Sequence, residues 1–124
     1  MRNLILILTF LFPVSSFADW TKITSSQEGD SFYLDVETIK ESNGLVYYWS
    51  LTDYLKPIDS SILSAKILYE VNCNTPRKER ALSASYYSTP MGKGTLIGTD
   101  NKEQEWTYSA PNTITEMMIA NVCI

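Results

Sequence analysis

Two cysteines constrain this chain more than any other feature. Cys73 and Cys123 are the only ones in its 124 residues, and they stand 50 residues apart. That spacing is no Cys-x-x-Cys redox motif, and two thiolates alone cannot complete a four-ligand metal site. An even count in an oxidising compartment favours a disulfide; two free thiols or pairing between molecules are the alternatives. A bridge closing so long a loop would contribute roughly 4 kcal/mol by chain entropy. The reading therefore turns on the compartment, and the N-terminus speaks to that.

The chain opens Met1-Arg2-Asn3 and continues as an apolar run from Leu4 to Val14. The run is about 11 residues, and a membrane-spanning helix needs roughly 20. Ser16 and Ala18 then supply the small residues of a cleavage site. The pattern predicts a signal peptide over 1–18 and a single domain over 19–124. The leader holds no cysteine for lipidation. The expectation is an exported, periplasmic or secreted protein with no membrane anchor after cleavage.

Composition narrows the function classes. The chain carries 10 basic and 14 acidic residues. That balance, scattered along the sequence, gives no general attraction for nucleic acid or anionic lipid. There is no histidine. Ser-His-Asp and Cys-His catalysis and histidine-based zinc sites are thereby excluded. The expectation is a non-enzyme without cofactor or metal.

The domain reads as a run of strands followed by one helix. Trp20–Thr24 and Ser31–Leu34 flank a turn at 27–30 and read as a hairpin. Asp35–Glu41 has helical character, with Asp35 as the cap, and Ser42-Asn43-Gly44 ends it. The longest strand signal is Leu45–Leu55. Its odd positions (Leu45, Tyr47, Trp49, Leu51) are the more apolar and are expected to face the core, leaving Tyr48 and Tyr54 outside. In Ala65–Cys73 the residues Ala65, Ile67, Tyr69, Val71 and Cys73 share one face, which places Cys73 on the core side. Arg80, Leu82, Ala84 and Tyr86 share a face of the following strand. Glu105–Tyr108 reads as a last short strand. Thr113-Ile114-Thr115-Glu116 has the spacing of a capping box. Ile114, Met117, Met118 and Val122 then fall on one helical face. The pattern places a C-terminal helix on the sheet, with Cys123 reaching Cys73.

Several motifs invite chemistry and carry a plainer structural reading. Met91-Gly92-Lys93-Gly94-Thr95 lacks the spacing of a phosphate loop and reads as a turn. Asp30, Asp35 and Glu37 lack the ligand pattern of a calcium loop and read as turn and cap. Asp53 reads as a strand-end carboxylate. Arg77-Lys78-Glu79-Arg80 is the only basic cluster. Among eight tyrosines and three tryptophans, Tyr48, Tyr54 and Tyr87 are expected on outer faces, where aromatics suit either strand pairing or a binding surface. The candidate contacts are Tyr48, Tyr54, Tyr87, Arg77, Lys78 and Arg80.

The order of these features resembles the surface-adhesin E family of proteobacteria. The residues that carry the likeness begin with Trp20, Phe32-Tyr33-x-Asp35, Val46-x-x-Trp49 and Asp53-Tyr54. They continue through Ser64-x-Lys66-x-x-Tyr69-Glu70-x-x-Cys73, Arg80-x-Leu82, Tyr86 and Met91-Gly92-x-Gly94. Trp106, Pro111 and Val122-Cys123 complete the set. The resemblance implies an α+β fold: about six antiparallel strands, with a C-terminal helix tethered to one face by the disulfide. It also implies a binding protein for host matrix or plasma proteins such as laminin, vitronectin and plasminogen, able to form a homodimer. The namesake is held at the surface by a lipidated cysteine. This sequence has none, so a soluble form is expected. The alternative function is a periplasmic accessory, structural or inhibitor domain of the cell envelope.

Overall fold

The computed structural model describes residues 19–124; the expected signal peptide lies outside the described residues. The chain forms β1 (Trp20–Ser25), β2 (Ser31–Asp35), β3 (Lys40–Ser42), β4 (Leu45–Ile58), β5 (Ile62–Asn72), β6 (Lys78–Tyr87), β7 (Leu96–Asp100), β8 (Thr107–Tyr108) and α1 (Ile114–Val122). All pair antiparallel in one eight-stranded sheet. Six strands make its main path, in the order β1-β2-β4-β5-β6-β7. The short β3 and β8 pair with β4 and β6. The expected six strands are thus the main path, and among the described residues the fold is mostly β, with one α-helix of 9 residues.

Turn chemistry sets the hairpins. Asn43 and Gly44 both have positive φ between β3 and β4, as do Asp59 and Ser60 between β4 and β5. Two left-handed central residues make the turn whose twist matches paired strands. The expected helix at 35–41 is only a 3-10 turn, Val36–Thr38. Asp35 does cap it, accepting from the Glu37 amide. Lys40 onward then pairs with β4 instead of continuing the helix.

The helix covers the opposite face of β4 from the one expected. Val46 pairs with Val71 and Tyr48 with Tyr69. Even positions of β4 therefore lie on the Cys73 side. Leu34, Val46, Tyr48 and Val71 form the core with Met118, Ile119 and Val122 of α1. Tyr48 is 1% exposed, so it is a core residue and not an outer contact. Alternation could not choose, because both faces of β4 carry apolar groups. The register against β5 chose.

The Cys73–Cys123 disulfide is formed, with Cα atoms 5.5 Å apart. It ties the end of α1 to the residue after β5. Thr113 caps α1, its hydroxyl accepting from the Glu116 amide. The Glu116 carboxylate turns to Ser109 and Arg77 instead of completing the box.

A bulge in β6 governs the rest. Ser83 pairs with Leu68 and Ala81 with Tyr69, leaving Leu82 as an extra residue. One added residue reverses the side-chain parity beyond it. Ala84 stays opposite Ile67, on the helix side. Glu79, opposite Val71, also turns to the helix side, and Arg80, opposite Glu70, turns away. Arg80 therefore does not share the face of Ala84 and Tyr86.

Candidate functional site

The helix-free face carries a cluster of aromatic and charged groups. Cross-strand register places Tyr47 beside Glu70 and Arg80, and Trp49 beside Leu68. Arg80 Nε donates to Glu70 Oε1 at 2.7 Å, and its guanidinium also reaches Glu103 at 2.7 Å. The Tyr47 hydroxyl donates to the other oxygen of Glu70 at 2.6 Å. That hydrogen bond raises the Tyr47 pKa above its ordinary value. Trp106 lies under two cations: the Arg80 guanidinium is 4.4 Å from its ring and the Lys78 ammonium 5.0 Å. Glu70 and Glu103 both engage the guanidinium that lies over the indole. The result is a fixed surface of large amphipathic side chains that needs little ordering on contact.

One end of this face is covered by the 3-10 turn Pro90–Gly92. Asp53 Oδ1 accepts from the Met91 amide at 2.9 Å, and Ser64 Oγ accepts from the Gly92 amide at 2.8 Å. Gly92 has φ +64, and a Cβ there would collide with the Lys66 side chain. The glycine-rich segment is therefore a docked turn, and Asp53 is its anchor. Asp30 is likewise engaged by a backbone amide, that of Leu55.

Cavities open on the helix side. One, of about 90 Å³, lies between α1 and the sheet and is lined by Tyr48, Ser50, Tyr69, Glu79 and Met118 among others. Glu79 is 6% exposed and accepts the Tyr48 hydroxyl at 2.9 Å. Burial pushes its carboxyl up to about 7, and the Tyr48 hydrogen bond offsets part of that. Burial also raises the Tyr48 and Tyr69 hydroxyls. The second, of about 270 Å³, is a trough lined by Ile67, Ala84, Tyr86 and the 100–104 segment.

The predicted contacts scatter. Lys78, Arg80 and Tyr87 stand on the helix-free face, with the Lys66 ammonium 5.1 Å from the Tyr87 ring. Arg77 pairs with Glu116 of α1 at 3.5 Å. Tyr54 is half-buried, and Tyr48 is buried. Sequence reasoning missed Tyr47, Trp49, Glu70 and Trp106. Alternation along β4 points Tyr47 and Trp49 inward, and only the β4–β5 register corrects that.

The family model for surface-adhesin protein E matches residues 20–124. The chain belongs to the surface-adhesin protein E family. The fold agrees with this family. Haemophilus influenzae protein E superposes with a TM-score of 0.63 at 16% identity, covering 90% of this chain and 88% of that one. A second crystal form gives 0.65 at 16% identity, covering 90% and 91%. At that identity the likeness is one of fold. Comparison with curated protein sequences finds no match. Membership in this family supports a surface or exported adhesin.

Proposed function

We propose that this protein is an exported, non-enzymatic binding protein that recognises a host matrix or plasma protein through the helix-free face of its sheet. The observation that carries the reading is the Trp106–Arg80–Glu70–Tyr47 cluster with Trp49 beside it. Tryptophan, tyrosine and arginine are the residues that dominate binding energy at protein interfaces. Here they are held rigid without being part of the core. Lys78 and Tyr87 extend the contact surface. Arg77, which faces α1, contributes through its ion pair. A second copy of the chain is a further partner of the same chemistry.

Immobilised laminin, vitronectin and plasminogen test this. The protein should bind at least one of them saturably. Trp49→Ala with Trp106→Ala should weaken that binding by about tenfold or more, with the fold intact by circular dichroism. Tyr54→Phe, on the other side of the sheet, should leave it unchanged. Binding to none of the three, together with capture of a cell-envelope protein, would favour the periplasmic accessory domain. Equal binding by the double variant would remove the face from the reading.

A further inference from the structure

The cavity under α1 holds a buried acid with no base beside it. One oxygen of Glu79 takes the Tyr48 hydroxyl. The hydroxyl-bearing Ser50, Thr52 and Tyr69 and the aromatic Phe32 line the same space, with no lysine or arginine among the lining residues. Arg77 and Arg80 are engaged elsewhere, Arg80 with Glu70 and Glu103, Arg77 with Glu116. The Leu82 bulge is what turns Glu79 in and Arg80 out. Desolvating a carboxylate is unfavourable unless a cation or proton neutralises it. A neutral side chain at this position would avoid that cost.

The lining chemistry matches one ligand class. Carboxylate and hydroxyl oxygens accept N–H bonds from an ammonium, and aromatic faces attract its charge and its carbon atoms. A divalent metal would need several more oxygen ligands of the carboxylate kind. A volume of about 90 Å³ admits a few waters or a small head group, and no sugar or nucleotide. We propose that the cavity between α1 and the sheet binds a small alkylammonium cation, held by Glu79 and the surrounding hydroxyls against Tyr48, Tyr69 and Phe32. This is independent of the binding role assigned to the opposite face.

Protonation must compete with the cation. The titratable groups at the cavity are Glu79 from β6, Tyr48 from β4 and Tyr69 from β5, and α1 contributes only Ile114, Thr115 and Met118. The tyrosines, raised by burial, stay neutral. Glu79 alone decides, so affinity rises with pH through about 7.

Methylammonium chloride titrated into the disulfide-bonded protein at about pH 8, followed by NMR of the Met118 methyl and the Tyr48 and Tyr69 rings, tests the site. A saturable shift is expected, absent with sodium chloride at equal ionic strength. It should weaken about tenfold or more at about pH 5, where Glu79 is protonated. It should be lost in Glu79→Gln, whose amide oxygen still accepts the Tyr48 hydroxyl. No saturable shift up to roughly 100 mM, or the same shift at both pH values or in the Gln variant, overturns the proposal. The pH arm decides even if the variant fails to fold.

Discussion

Glu79 and Arg80 are neighbours in sequence with opposite fates. Glu79 is buried under α1 beside Tyr48, and Arg80 lies half-buried on the opposite face, against Trp106. The difference sets a measurable pH dependence. The Glu79 carboxyl rises from its ordinary 4.5 to about 7 in the folded protein. Folding therefore favours its protonated form. Its contribution is fully present below about pH 4.5, falls as pH rises through the window to about 7, and is flat above. The gap corresponds to roughly 3 kcal/mol. Glu79→Gln should remove this slope and leave the protein more stable than the parent at about pH 8. Urea denaturation at a series of pH values checks it. A parent and variant with parallel profiles would mean that Glu79 is not the group responsible. Nothing in the Arg77–Arg80 run shows which of its members turns inward; that depends on a bulge two residues downstream.

At the scale of elements, the bulge at Leu82 and the capped helix do the most. Deleting Leu82 would restore simple alternation along β6. The pairing on either side needs no shift, because Ala81 already stands opposite Tyr69, Arg80 opposite Glu70 and Glu79 opposite Val71. Glu79 would stay under α1 and Arg80 outside. The deletion variant should therefore fold cooperatively, seen as a sharp thermal transition and well-dispersed amide signals. A broad transition would show that the local bend of the bulge is itself required. The helix is legible in the sequence because its cap and its apolar spacing are local: Thr113 caps it, and Met118 and Val122 are buried as their period predicts, whereas Met117 is exposed and Ile119 is buried in its place. The 3-10 turn at Val36–Thr38 has the local signals of a longer helix, because propensity carries no information on the pairing of Lys40–Ser42 with β4.

On the scale of the whole molecule, the disulfide joins a short helix to a large sheet. A helix of 9 residues is marginal by itself and depends on its buried face and its tether. Closing 50 residues should contribute about 4 kcal/mol. Cys73→Ser with Cys123→Ser should lower stability by that order. It should also speed amide exchange in Ile114–Val122 more than in β4 and β5. Uniform acceleration would mean that helix and sheet open as one unit regardless of the bridge. The sequence by itself determined the cysteine pair, the strand-rich domain with a terminal helix, the inward face of β5 and the family. Each rests on local periodicity or on residue order, which the chain carries without knowing its fold. The tertiary structure decided which face of β4 lies under the helix, that Tyr48 is core while Tyr47 and Trp49 are not, and that Glu79 is buried. Those depend on register between strands. A shift of one residue there exchanges the two faces of the sheet.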